Sequence, residues 1–182
     1  MNQLKDLPKD RCGGVVVLDK INNEYIVLMG SKNKNNHKIY EYFGGNNEPE
    51  DLTALHTSIR ELIEEMFNVK ISNDNIEQLV LELLKNQDIK MDLTYVHPNE
   101  NMTYFIGFDV VEKIYNYIKY GQYKAIDKFD IIKFIKNRKI NNIAKDGLNE
   151  IKELHLKYLH NVPNLKLRPV AEKITNHLLK KL

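Results

Sequence analysis

Three glutamates stand at the spacing of one helix face within residues 42–69 of this 182-residue chain. Glu61, Glu64 and Glu65 fall at i, i+3 and i+4, so a helix brings their carboxylates together. Like charges this close repel one another unless a cation lies among them, and Arg60 alone cannot neutralise three. A hard divalent cation such as Mg²⁺ prefers oxygen ligands and bridges carboxylates to phosphate oxygens. The pattern therefore predicts a metal site that handles phosphate.

The same stretch supplies the elements that must position these carboxylates. Gly44 and Gly45 end a predicted strand, and glycine there allows close backbone approach to a diphosphate. The Gly44 carbonyl is a candidate further oxygen ligand. The helix that follows has apolar residues at i, i+4, i+7, i+8 and i+11, which predicts one face buried in a core. These apolar residues are Leu55, Ile59, Leu62, Ile63 and Met66.

The order of these residues resembles the Nudix box, which reads G-x5-E-x7-R-E-U-x-E-E-x-G-U with U an aliphatic residue. The core R-E-L-x-E-E is intact, and the strand–loop–helix context agrees with the motif. The matching residues are Gly45, Arg60, Glu61, Leu62, Glu64 and Glu65.

The chain departs from the box on both sides of that core. Asp51 stands where the first glutamate is expected, and eight residues separate it from Arg60 instead of seven. Counted from Gly44, the acid is Glu50 and the gap is nine. Phe67 takes the place of the closing glycine. A helix one residue longer, ending at Asn68, restores the pattern, because asparagine tolerates the left-handed backbone of a helix end.

The resemblance implies an α/β fold, a Nudix-like α/β/α sandwich with a mixed sheet between helices. It also implies a metal-dependent hydrolase, a pyrophosphohydrolase that uses Mg²⁺ or Mn²⁺ and cleaves a diphosphate linkage in a nucleoside diphosphate derivative. Candidate substrates are a nucleoside triphosphate, a dinucleoside polyphosphate, a nucleotide sugar and an mRNA cap. Glu61, Glu64 and Glu65 would hold metal, with Glu64 and Glu65 as principal ligands. Arg60 would orient them, and one glutamate or a loop acid would take the proton.

Further site residues are assigned by position alone. Gly45, Tyr42 and Lys32 are candidates for substrate binding. The alternative for Tyr42 is a packing role in the core, and the alternative for Lys32 is an ordinary solvated lysine on the surface. Glu100 and Asp127 are candidates for an extra acid near the late strands, against an ordinary solvated loop acid.

Four residues near the motif have structural interpretations. Asp51 is predicted to cap the helix, with Thr53 as the alternative cap. His56 is predicted to lie on the surface of the helix. Cys12 is predicted to be a buried structural thiol.

A second function class stays open, because a Nudix-like domain can serve as an RNA- or protein-binding module. Retention of the three glutamates and Arg60 favours the enzyme, and the altered acid spacing with Phe67 favours the module. A basic stretch and the Tyr- and Lys-rich residues 113–124 indicate a candidate RNA surface, against a merely solvated face. The basic residues are Lys133, Lys136, Arg138, Lys139 and Lys145.

Composition sets the outer limits. The net charge of +2 argues neither for nor against nucleic acid, and the single cysteine excludes an internal disulfide and fits a reducing compartment. No apolar run long enough for a membrane span and no secretory h-region are present, so an intracellular location is expected. We expect a single domain over residues 1–182, with a flexible arm at 1–11 and a helical insertion at 112–124.

The remaining patterns predict individual elements. Residues 13–19 and 25–29 form a hairpin, 31–38 form a polar loop, and 39–43 form the strand that enters the motif. Short strands are expected at 69–72, 91–97, 102–110 and 129–135. Helices are expected at 76–85, where the aliphatic run also fits a strand, at 148–160, and at 168–182, the last with Pro169 in its first turn.

Overall fold

A mixed sheet runs through the middle of the fold. The structure is a computed structural model that describes residues 12–99, 101–124, 126–138 and 151–182. Within those ranges the sheet has seven strands. They are β1 (Gly13–Ile21), β2 (Glu24–Lys34), β3 (His37–Glu41), β4 (Phe43–Gly45), β5 (Tyr95–Val96), β6 (Met102–Ile106) and β7 (Glu153–Tyr158).

Helices cover both faces of this sheet. Among the residues described, no helix is long and apolar enough to cross a bilayer. The helices are α1 (Ala54–Leu62), continued by a π-helical turn (Ile63–Phe67), then α2 (Asn73–Lys85), α3 (Phe108–Tyr120), α4 (Ile131–Asn137) and α5 (Pro169–Lys181), with 3₁₀ turns at Met91–Leu93 and Leu159–Asn164.

Strand β1 is the central strand of the sheet. It pairs antiparallel with β2 and β4 and parallel with β6. Its side chains alternate between two cores, as a strand buried on both faces must. Val15 and Val17 join the core beneath α1, α2 and α3, whereas Val16 and Leu18 join the core beneath α5. The predicted α/β/α sandwich with a mixed sheet is confirmed.

Two hairpins are built on asparagine pairs. The turn between β1 and β2 has Asn22 and Asn23 at φ of 50° and 69°, and the turn between β2 and β3 has Asn35 and Asn36 at φ of 51° and 61°. Positive φ at both central residues gives a turn whose twist matches the flanking strands. The first hairpin is confirmed. The polar loop expected at 31–38 is wrong, because this asparagine pair closes a hairpin in which β2 and β3 pair.

The region 129–135, expected to be a strand, forms α4 instead. Asp130 caps this helix by accepting a hydrogen bond from the backbone N–H of Lys133 at 2.9 Å. Ile131, Phe134 and Ile135 then fall at i, i+3 and i+4 and pack against the core. The spacing of these apolar residues fits a strand as well as a helix. The Asp130 cap and the packing against the core favour the helix.

The region 148–160, expected to be a helix, contains strand β7. Residues 148–150 lie outside the described ranges, and Glu153–Tyr158 pairs antiparallel with β2. Leu154 and Leu156 alternate with polar residues, as in a strand. The backbone N–H and C=O groups on this edge of β2 need partners, and β7 provides them whereas a helix would not. The long-range edge therefore outweighs the local pattern.

The middle of the chain agrees in part with expectation. Helices at 76–85 and 168–182 are confirmed by α2 and α5, with Pro169 in the first turn of α5. The hairpin of β5 and β6 is confirmed, although β5 is short and follows a 3₁₀ turn. Residues 69–72 form no strand. Helix α3 covers most of the proposed insertion and contributes Val110, Val111 and Ile114 to the main core.

The end of α1 absorbs the extra residue of the motif. After Leu62 the helix widens into the π-helical turn Ile63–Phe67, which fits one more residue into a turn than an α-helix does. Asn68 then adopts φ 62° and ψ 36°, and its backbone N–H donates to the Glu64 carbonyl. The predicted helix end at a left-handed Asn68 is confirmed.

The backbone of Asn68 makes a stability prediction. Asn68→Ala should lower the free energy of unfolding by about 1 kcal/mol, because a Cβ is disfavoured in the left-handed conformation that asparagine tolerates. Asn68→Gly, the matched control, should equal or exceed the unmutated protein. Urea unfolding with an unchanged m-value measures both, and equal stability of the two variants would contradict the prediction.

Candidate functional site

Helix α1 is fixed by its cap and by its apolar face. Thr53 is the N-cap, and its side chain accepts a hydrogen bond from the His56 backbone N–H at 3.1 Å. The alternative cap is therefore the one the structure uses. The predicted buried face is confirmed, with relative exposure of 0% for every member: Leu55, Ile59, Leu62, Ile63 and Met66.

A buried ion pair joins the loop before α1 to the helix. Arg60 donates from Nε and Nη2 to Asp51 at 3.1 Å and 2.9 Å, and the two side chains are 6% and 1% exposed. Thr57 Oγ1 donates to Asp51 Oδ2 at 2.9 Å, and His56 Nδ1 lies 2.8 Å from Asp51 Oδ1. Burial alone would raise the pKa of Asp51, but hydrogen bonds from His56 and Arg60 outweigh it and hold that pKa well below its usual range.

The surface position expected for His56 is wrong. The imidazole is 1% exposed and is held between Asp51 and the Asn73 carbonyl. Sequence reasoning missed the role of His56 and Thr57 because their partner precedes the helix. The sequence did carry a signal for this contact. Asp51 stands two residues before the cap Thr53, and the polar residues His56 and Thr57 follow within the first turn of the helix.

The remaining donor face of Arg60 gathers the carboxylates. Nη1 lies 3.0 Å from Glu61 Oε1, 3.4 Å from Glu64 Oε2 and 3.6 Å from Glu48 Oε1. Nη2 also donates to the Asn46 carbonyl at 2.9 Å. One guanidinium therefore binds Asp51 on its buried side and draws three glutamates to one nitrogen on its outer side.

Glu65 contacts the end of strand β4, next to the residue against which Glu61 lies. Its carboxylate is buried and accepts a hydrogen bond from the Gly44 backbone N–H at 2.9 Å. Gly44 has φ 151°, a backbone conformation that favours glycine. The contact between these two residues uses the Gly44 N–H, whereas the sequence had proposed the Gly44 carbonyl as a ligand.

Gly45 makes room for the Glu61 carboxylate. A Cβ built at Gly45 would lie 2.4 Å from Glu61 Oε1, which is far inside van der Waals contact. A side chain at this position would therefore displace the Glu61 carboxylate.

Glu64 combines partial burial with access to the site. Burial raises the pKa of the Glu64 carboxyl above its ordinary value, and the charge of Arg60 offsets only part of that effect. Glu64 is therefore more basic than an exposed glutamate.

The cluster opens onto a cavity of about 800 Å³. Its lining includes Glu48, Glu61 and Glu64, together with Arg168 and Lys173 of the α5 region. Apolar and aromatic groups lie among them. These include Tyr42, His97, Pro98, Val170 and Ile174.

Tyr42 and Cys12, two residues with sequence-based predictions, both line the cavity. Tyr42 lines the cavity, but its hydroxyl lies 3.0 Å from Thr175 Oγ1 of α5, and burial raises its pKa to about 12. Cys12 is half-buried, and its thiol donates to Asn46 Oδ1 at 3.2 Å. The expected buried thiol is therefore wrong.

The other predicted site residues lie apart from the glutamates. Lys32 pairs with Glu41 at 2.9 Å, and Glu41 also binds Arg168. Asp127 accepts hydrogen bonds from Lys119 and Tyr120 outside the cavity. Glu100 lies outside the described ranges.

The donor set fits a hard divalent cation in chemistry. Glu48, Glu61 and Glu64 offer only carboxylate oxygens, which Mg²⁺ and Mn²⁺ prefer. Across the portion of the chain described, no group of three or more Asp, Glu, His or Cys side chains is arranged as a metal site. The Arg60 guanidinium lies within 3.6 Å of an oxygen of each of the three carboxylates and supplies positive charge among them.

Comparisons with known proteins give only distant similarities. No family model matches the chain, and no curated protein matches it significantly. It is similar to the crystal structure of a Nudix hydrolase from M. Smegmatis, RenU, at 8% identity, covering 95% of this chain and 86% of that one with a TM-score of 0.43. It is also similar to the solution structure of the E. coli ORF135 protein, at 9% identity, covering 97% and 92% with a TM-score of 0.41. Such TM-scores carry no inference about chemistry, which the residues of this chain must supply.

The Asp51–Arg60 pair makes a prediction that depends on pH. Asp51→Asn should lower the free energy of unfolding by about 3–5 kcal/mol near neutral pH, because it leaves a buried guanidinium without its counter-charge. The folded-state pKa of Asp51 is lowered, so its contribution is complete above the ordinary carboxyl pKa and is lost as the pH falls through the folded value. The gap between the two proteins should therefore shrink below about pH 4.

Denaturant unfolding across pH 3–7 checks this difference. Glu50→Gln removes an exposed carboxylate from the same loop and should change stability by less than about 0.5 kcal/mol. A gap between Asp51→Asn and the unmutated protein that stays constant from pH 7 to pH 3 would contradict the assignment.

Proposed function

We propose that this protein is a metal-dependent hydrolase of the Nudix type that cleaves a diphosphate linkage in a nucleoside diphosphate derivative. The observation that supports this proposal is the carboxylate cluster of Glu48, Glu61 and Glu64, drawn to Arg60 at the edge of a large cavity. Structural glutamates of an ordinary solvated helix face would not open onto such a cavity or share one buried arginine.

Each residue of the cluster has a role in this proposal. Mg²⁺ or Mn²⁺, when bound, would neutralise the charge of the diphosphate. Glu61 and Glu64 would hold the cation, and Arg60 keeps both carboxylates on one side of α1. Glu65, which accepts a hydrogen bond from the Gly44 N–H, is proposed as a further ligand beside them. Glu64, which lines the cavity beside Glu61, is also proposed to accept a proton from the attacking water.

The cavity supports a nucleotide-sized substrate. Its volume of about 800 Å³ lies within the range of small-molecule sites. Tyr42, Val170 and Ile174 offer apolar surface for a base, and Lys173 and the Arg168–Glu41 ion pair also line the cavity. Nucleoside triphosphates, dinucleoside polyphosphates, nucleotide sugars and capped RNA are the candidate substrates. The products would be a nucleoside monophosphate with a phosphorylated remainder, or a nucleotide with pyrophosphate.

One observation favours a second function, a catalytically weak RNA- or protein-binding module. Arg60 already satisfies the three carboxylates, so the cluster has its own cation without a metal. In that case the acids serve to hold α1 against its loop.

A metal-dependent assay on a substrate panel tests the enzyme. With Mg²⁺ or Mn²⁺ the protein should hydrolyse one of the four substrate classes, and EDTA should abolish turnover. Glu64→Gln keeps the side-chain shape but removes a charge, and it should lower kcat by roughly 10²–10⁴-fold. Asp74→Asn, which removes an exposed carboxylate from α2, is the matched control and should leave kcat unchanged.

Thermal unfolding separates the two functions. A bound cation stabilises the fold by mass action, by about 2.7 kcal/mol at a hundredfold excess over Kd, and Glu64→Gln should lose this gain. The unmutated protein would be a module if it showed no turnover and no stabilisation by metal, yet bound RNA with steep salt dependence.

A further inference from the structure

Arg138 donates hydrogen bonds to two separate segments of backbone. Nε donates to the Met66 carbonyl at 3.0 Å, and Nη2 donates to the Glu65 carbonyl at 2.6 Å. Nη1 donates to the Ile151 carbonyl at 3.0 Å and, more weakly, to the Lys152 carbonyl at 3.4 Å. The guanidinium therefore ties the end of the glutamate helix to the segment that enters β7.

The carbonyls of Glu65 and Met66 need such a donor. They belong to the last turn of the helix, where carbonyls have no N–H partner further along the helix. The Asn68 N–H goes to the Glu64 carbonyl at 3.1 Å, so the next two carbonyls depend on a side chain. A planar guanidinium matches two adjacent acceptors, and its charge is favourable at the negative end of a helix.

Helix α4 brings Arg138 to this position. Phe134 of α4 packs on Phe67 of the π-helical turn with ring centroids 5.4 Å apart, and Phe129 contacts both rings. Arg138 directly follows α4. The aromatic contact thus docks α4 against the same turn whose carbonyls Arg138 binds.

The turn held by Arg138 carries two of the three motif glutamates. Glu64 lies on it and reaches Arg60, and Glu65 lies on it and reaches Gly44. Those contacts fix the side chains, and the contacts of Arg138 fix the backbone from which they project. With its donors on four carbonyls, Arg138 is also poorly suited to the RNA surface that the basic stretch indicated.

We propose that Arg138 is a positioning residue for the carboxylate cluster: it holds the π-helical turn so that Glu64 keeps the orientation in which it can bind a divalent cation. The inference rests on the proposed function for its metal, and the hydrogen bonds to Glu65 and Met66 carry the mechanical part by themselves. Arg138 is not among the residues that line the cavity, so its effect passes through the turn.

Mn²⁺ binding tests the effect on the site, with free Mn²⁺ followed by electron paramagnetic resonance. Arg138→Gln should weaken binding by about 10–100-fold, as loss of a group that orients metal ligands typically does. Arg138→Lys keeps the charge without the fork and should recover part of the affinity. Lys136→Gln removes an exposed charge from α4 and should bind as the unmutated protein does. Equal affinity in all four proteins would overturn the proposal.

Amide hydrogen exchange tests the mechanical part without metal. Exchange at residues 64–68 should quicken in Arg138→Gln and stay unchanged in Lys136→Gln, while exchange in β1 serves as the internal reference for folding. Unchanged exchange at 64–68 would overturn the proposal even if activity fell. A third outcome is quicker exchange at 64–68 without any Mn²⁺ binding by the unmutated protein. That outcome would show that Arg138 holds the turn. It would reject both the metal-dependent function and the positioning of Glu64 for metal.

Discussion

Asp51 and Arg60 bury opposite charges in contact, at the point where the loop after β4 meets α1. Removing two ions from water costs several kcal/mol each, so such a pair persists only with close geometry and further hydrogen bonds. Thr57, His56 and the Asn46 carbonyl supply those bonds. The pair therefore sets the path of the loop and the rotation of the guanidinium together, and everything on the outer side of Arg60 follows from it.

The outer side of Arg60 makes an acidic cluster compatible with folding. Glu48, Glu61 and Glu64 would repel one another at these separations, and one nitrogen of Arg60 lies near a carboxylate oxygen of each. Because Asp51 holds the guanidinium through Nε and Nη2, Nη1 keeps one position among the three glutamates and does not move toward any one of them. The same arrangement gives the cavity a negative side without unfolding α1, and it leaves Glu64 more basic than an exposed glutamate.

Accommodation of one extra residue links this cluster to the far end of the helix. An insertion in a regular α-helix would rotate everything after it by about 100°. The π-helical turn takes up that residue, so Asn68 still ends the helix in the left-handed conformation. Phe67, the residue that departs from the glycine of the motif, then has a packing role against α4, and the freed carbonyls receive Arg138. A departure from the motif is thus absorbed by contacts that only this chain provides.

The sequence by itself determined the features that depend on neighbours along the chain. The apolar period of α1, the asparagine turn of the first hairpin and the left-handed Asn68 are all local, and each was readable from residue type and spacing. Tertiary structure decided the rest. The burial of His56 requires a partner from the preceding loop, and β7 requires the edge of β2. Arg138 finds two of its four carbonyls more than seventy residues away. Residues 131–137 and 153–158 carry apolar residues whose spacing fits either a helix or a strand. A distant packing surface selects the helix in the first segment, and a distant hydrogen-bonding edge selects the strand in the second. The free energy of burial depends on what the rest of the chain presents.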